Sequence, residues 1–148
     1  MEWSRATNLA AQVVENLCAS FEWTNRNVTF DNYFTSFKLA QTSLSKGVTC
    51  VGTLQKNKRC IPTNFLPHRM REVESNVFGF RRSMTLVSYV LKKNRAVIFL
   101  STMHHNNEIC VDNKKKSEIN LYYNSTKRGI DTLDQMCHTF TVKRKTRR

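Results

Sequence analysis

Acidic side chains are scarce in this sequence. Eleven Asp and Glu stand against 24 Lys and Arg in 148 residues, a formal net charge of +13. The deficit is uneven: residues 1–50 carry four charges of each sign, 51–100 ten basic and two acidic, and 101–148 ten basic and five acidic. A polyanion is the natural partner for such a balance, and nucleic acid fits it first. An anionic membrane surface fits less well, because no amphipathic basic helix is written into the chain. Glycine and proline are also rare, four and two residues, while 40% of the chain is hydrophobic. That combination excludes a low-complexity linker and argues for one folded domain with a core.

Long apolar runs are missing too. The longest is "AVIFL" (Ala96 to Leu100), far short of a membrane span. The start "MEWSRATNLAAQ" lacks the basic lead and greasy segment of a secretory signal. The five cysteines, Cys18, Cys50, Cys60, Cys110 and Cys137, include no Cys-x-x-Cys pair. They read as reduced, mostly packed thiols rather than a disulfide or zinc framework. The sequons at Asn27 and Asn124 therefore carry no weight, and His104-His105 reads as an exposed loop pair. Neither a phosphate-cradling glycine loop nor a nucleophile–His–acid set is present.

What is present reads as α/β. "NLAAQVVENLC" spaces Leu9, Val13 and Leu17 four apart, predicting a helix that buries that face. "NVTFDNYF" starts as a β-branched strand, and Thr35 or Ser36 then caps a helix running to Gly47 as its C′ residue. "VTCVGTLQ" is the next strand, completing a βαβ unit with parallel neighbours. "KNKRCIPTNFLPHRMREVE" is basic, holds both prolines and is a poor candidate for regular structure. "SMTLVSYVL" and "AVIFLST" predict a hairpin with "KKNR" at its tip. After the polar connection "HHNNEICVDNKKKSE", "INLYYN" reads as a short strand and "STKRGIDTLDQMCHTF" as a helix, with Gly129 weakening its first turn. "VKRKTRR" is a cationic run that, taken alone, reads as an arm or an import-like patch.

Three carboxylates stand out. Asp31 falls where a strand of an α/β sheet ends, the edge at which such folds place their chemistry. Asp131 and Asp134 are three apart on a helix and share one face. Pattern alone makes Asp31-Asn32 a turn and the later pair a solvated face.

The segments "NVTFDNYFTSFKLA", "VGTLQKNKR", "TLVSYV" and "YYNSTKRGIDTLDQMCHTFTVKRKTRR" together resemble the catalytic region of piggyBac-type transposases and piggyBac-derived proteins. The resemblance covers nearly the whole chain from about Asn27, with the motifs long and in order. It implies a ribonuclease-H-like core of the DDE/DDD transposase type, incomplete here, with a strand-rich insertion domain. By that correspondence residues 1–55 form the first part of the core and 56–118 the insertion domain. Residues 119–141 return to the core with the third acidic motif, and 142–148 are a basic tail. Asp31 falls on the family's second catalytic aspartate, Asp131 on its third, and Asp134 on a further acidic position.

The implied chemistry is Mg²⁺-dependent DNA strand cleavage and transfer, with Asp31 and Asp131 as metal ligands. The family's first aspartate sits on an earlier strand, and among Glu2, Glu15 and Glu22 none occupies such a motif. The expectation is a transposase fragment inactive alone, with β-type Val28 to Asp31 left with an open edge and the chain marginally stable. The alternative is a domesticated DNA-binding or protein-interaction module. Expected phosphate contacts are Lys56, Lys58, Arg59, Arg81, Arg82, Lys92, Lys93, Arg95, Lys143, Arg144 and Lys145. Expected partners are DNA and a full-length transposase-like protein, with no membrane, and the expected location is the nucleus. Arg128 replaces the first of two family glycines, which implies a tightened turn there.

Overall fold

The computed structural model describes residues 9–140. The elements in chain order are α1 (Leu9–Cys18), β1 (Asn27–Phe30), α2 (Phe37–Ser45), β2 (Thr49–Leu54), β3 (Asn76–Arg81), β4 (Met84–Lys92), β5 (Arg95–Ser101), β6 (Ile109–Cys110), β7 (Lys116–Ser117) and α3 (Glu118–Thr139). Five strands form one sheet in the order β1-β2-β5-β4-β3, and β6 pairs with β7 apart from it.

The βαβ unit forms as its sequence predicts. Ser36 caps α2, its side chain accepting from the Leu39 N–H, and Gly47 follows the helix at φ +70°. A left-handed residue just past a helix end is the position glycine fills most cheaply. β1 and β2 pair in parallel, Val28 opposite Cys50. β4 and β5 form the expected antiparallel hairpin, its tip passing through Asn94 at φ 60°.

The apolar runs in β4 and β5 are continuous because both faces of the sheet are covered. On one face Phe30, Cys50, Leu54, Leu86, Ile98 and Leu100 pack against Ala11 and Val14 of α1 and Leu39 and Ala40 of α2. The proline-bearing loop adds Ile61 and Phe65 to that layer, Phe65 lying in a short 3-10 turn over Thr63–Phe65. On the other face Val51, Val87, Tyr89 and Phe99 pack against Ile119 and Tyr123 of α3.

Several expectations are corrected. Leu9, Val13 and Leu17 are exposed, and Ala11 and Val14 face the core instead. The small Ala11 lets α1 lie close on the sheet, a choice that a four-residue spacing cannot make. "INLYYN" is helical: Ser117 caps α3 by accepting from the Asn120 N–H, and Ile119, Asn120 and Tyr123 repeat at helical spacing on the buried face. Strand β3, "NVFGFR", was not foreseen because Gly79 interrupts its apolar pattern. That glycine is needed, since a Cβ there would lie 2.7 Å from Phe65 Cζ. Arg128 sits in the middle of α3, with no turn to tighten.

Of the thiols, Cys50 is buried, while Cys60 and Cys137 are exposed and all five are free. His104 is buried rather than exposed; His105 alone matches the loop reading. The 55/56 boundary falls between β2 and β3, which are strands of a single sheet, so the sheet spans both segments. No described helix is long and apolar enough to cross a membrane.

Candidate metal and nucleic-acid site

Asp31 is the first residue after β1, and a dense turn fixes its backbone. Its carbonyl accepts the Phe34 and Thr35 N–H groups, each at 3.1 Å, and the Thr35 hydroxyl at 2.8 Å. Lys58 in turn donates its ammonium to the Thr35 carbonyl. The aspartate side chain is left pointing from a rigid corner at the strand's C-terminal end.

Asp131 reaches the same place by matched rise. Asn27 Nδ2 donates to the Tyr122 hydroxyl at 3.1 Å, and Thr29 Oγ1 donates to Thr126 Oγ1 at 3.0 Å, so α3 runs alongside β1 in its direction. Two strand residues advance about 6.6 Å and four helical residues about 6 Å. Continuing two residues from Thr29 gives Asp31, and the equal advance from Thr126 is four to five residues, which gives Asp131.

The two acids line one cleft of about 1030 Å³. Lys56, Arg95, Lys116 and Lys127 line it, as do Leu91, Val97 and Phe99. The Lys127 ammonium lies 3.7 Å from Asp131 Oδ1, one turn before it on α3. Both groups are substantially exposed, so solvent screens this pair and it adds little stability.

Of the expected cations, Lys56 and Arg95 line the cleft. Lys58 is half-buried and spent on the Thr35 carbonyl. Arg59 is exposed outside the cleft lining, Lys92 and Lys93 lie at the β4–β5 tip, and Arg81 and Arg82 at the β3–β4 turn. Lys143, Arg144 and Lys145 lie outside the described residues. Asp134 is exposed on α3 and does not line the cleft. Sequence reasoning missed Lys116, Lys127, Asn120 and Asn124. The i−4 spacing from Asp131 could have found Lys127. Lys116 enters only through the β6–β7 connection.

Carboxylates are hard donors of the kind magnesium takes, which it commonly binds through one or two carboxylates and waters. The described residues hold no group of three or more His, Cys, Asp or Glu suited to a metal ion. Asp31 and Asp131 are the carboxylates that line the cleft, fewer than a two-metal centre requires.

The family model described as Transposase IS4 matches residues 1–148, and the chain belongs to that family. Within it, the chain is similar to a solved piggyBac transposase, seen as a synaptic complex with hairpin DNA. The two share 38% identity at a TM-score of 0.83 over 99% of this chain. The chain spans 31% of the length of that transposase. No curated protein matches.

Proposed function

We propose that this chain is the part of a piggyBac-type transposase core that carries the second and third acids of a DDD site. In this reading β1 and β2 belong to a ribonuclease-H-like sheet, and residues 56–118 correspond to the insertion domain that extends it. The observation that carries the proposal is the meeting of Asp31 and Asp131, a hundred residues apart, in one cation-lined cleft.

The roles follow from placement. Asp31 and Asp131 would hold a magnesium ion, and Asp134 would add negative potential one turn further along α3. A cation bound there would relieve carboxylate repulsion and would supply Lewis-acid chemistry toward a phosphoryl oxygen. Lys56, Arg95, Lys116 and Lys127 attract and orient a DNA backbone, and the Asp31 turn keeps its carboxylate fixed relative to the strand. With two acids rather than three, the chain alone does not cut DNA.

The test is an assay of supercoiled plasmid with the purified chain, with and without Mg²⁺. No nicking is expected, whereas metal-dependent nicking abolished by Asp31→Ala would refute inactivity. Duplex binding that weakens steeply with salt is expected for the cleft; binding indifferent to salt would remove the DNA reading.

The open flank of the molecule favours a second reading, association with a larger transposase-like protein. Among the described residues β1 has a strand on one side only, and Leu9, Leu17, Ile130, Leu133 and Phe140 are exposed. An unpaired strand edge and exposed apolar side chains each invite a partner. Nuclear localisation is part of the proposal and is checked by imaging a tagged chain with and without residues 143–145.

A further inference from the structure

The cleft is longer than its two acids require. Beyond them its wall is α3, which presents Asn120, Tyr123, Asn124, Lys127 and Asp131 along one face. Asn120 is only 3% exposed yet lines the cleft. Its Oδ1 accepts from Asn124 Nδ2 at 2.7 Å. That contact fixes the orientation of the amide and turns Nδ2 the other way. Among the described residues the Asn120 Nδ2 donates to no protein group, and it is not one of the fully enclosed unpartnered atoms, so its hydrogens are left to the cleft.

Two N–H groups with no protein acceptor, held in one orientation and open to the cleft at its wall, suit a ligand that accepts hydrogen bonds. The neighbours fix its charge. Lys116, Arg95 and Lys127 share the cleft, so an anionic acceptor is favoured over a neutral one. Neutral donors interleaved with cations are how proteins hold a phosphodiester backbone in register.

We propose that Asn120, oriented by Asn124, is a positioning residue that donates to a backbone phosphate of the bound strand at a point remote from the acids. This rests on the DNA reading above and deepens it. Eleven helical residues separate Asn120 from Asp131, about 16 Å along α3. At the 3.4 Å rise per strand of B-form DNA that is about five nucleotide steps. The contact sets how far a strand has advanced past the acids without touching the reacting phosphate.

The test uses the full chain and fluorescein-labelled oligonucleotides, read by anisotropy across a salt series. Asn120→Leu keeps the buried volume and removes the donors, and a loss of about tenfold in affinity is expected, alike for unrelated sequences. Because a neutral donor displaces no counterion, the slope of log affinity against log salt stays as in the wild type. Lys116→Ala, by contrast, flattens that slope. Asn120→Asp, which faces the phosphate with a carboxylate, loses more than Asn120→Leu.

A scan of single neutral methylphosphonates locates the contact. One position weakens wild-type binding and leaves Asn120→Leu unaffected, whereas a modification elsewhere weakens both. If Asn120→Leu melts early, the same scan on the wild type, compared with Asn120→Asp, decides the matter. Wild-type affinity for DNA shared by a folded Asn120→Leu overturns this inference while leaving the DNA reading intact. Loss confined to particular base sequences overturns it in favour of contact to a base edge. Absence of any DNA binding by the wild type overturns both.

Discussion

Replacing Gly52 by alanine sets a methyl group where β1 and the Asp31 turn leave no room. A Cβ on Gly52 would lie 2.3 Å from Thr35 Oγ1, 2.9 Å from the Phe30 carbonyl oxygen and 3.1 Å from Thr35 Cγ2. The carbonyl belongs to the paired strand and cannot swing aside, and Thr35 is 1% exposed. Forcing a methyl group into a packed site costs about 1–3 kcal/mol. Displacing the Thr35 hydroxyl also breaks its bond to the Asp31 carbonyl, about 1 kcal/mol more. The sum, about 2–4 kcal/mol, corresponds to a fall in melting temperature of about 6–12 °C for a domain of this size.

Thermal and urea unfolding followed by circular dichroism would measure the loss. Amide exchange at Phe34 and Thr35, which both donate to Asp31, would show the turn loosening. Thr35→Ala removes two of the three close contacts, so the double variant should be less destabilised than the sum of the singles by about 1 kcal/mol. A Gly52→Ala protein within about 0.5 kcal/mol of wild type would refute the packing argument. Strict additivity would refute the assignment to Thr35.

Further expectations are simpler. Gly129 is helical with nothing within 4 Å of a Cβ, so Gly129→Ala should stabilise α3 by about 0.5–1 kcal/mol, read by urea midpoint. Lys56→Ala and Arg95→Ala should each flatten the salt slope of duplex binding by about 0.9. Lys58→Ala should leave that slope unchanged and lower stability instead, since its ammonium serves the Thr35 carbonyl.

Burial lowers the His104 pKa below its ordinary value, against the opposing pull of Glu118 and with a small push from His105. Ser101 Oγ accepts the Met103 and His104 N–H groups, leaving its own proton for His104 Nδ1 and favouring the neutral ring. The unfolded chain therefore binds the proton more readily. Stability should be full above about pH 6.5 and fall as the pH drops toward the depressed folded value. His104→Gln should reduce that acid slope in urea titrations at several pH values.

Local order was legible wherever one residue decides one turn. Ser36 and Gly47 bracket α2, Asn94 marks the β4–β5 tip, and Asp31 and Asp131 fall at a strand end and on a helix as their neighbours indicate. The site was half legible. Its acids were placed through resemblance to a family, while Asn120, Asn124 and Lys116 gave no local sign of facing a cleft. Pattern misjudged α1, where the greasier stripe stays outside, and α3, where β-branched and aromatic residues near the N-terminus looked like a strand.

By itself the sequence determined the period of α1, α2, β1, β2, β4 and β5, because 3.6- and 2-residue repeats are properties of the backbone that a short window records. Only the tertiary structure decided that the hairpin would extend the β1–β2 sheet through β5, and that α3 would run beside β1 at matched rise. Those pairings close loops of tens of residues, and their energy resides in contacts between segments that no local window contains.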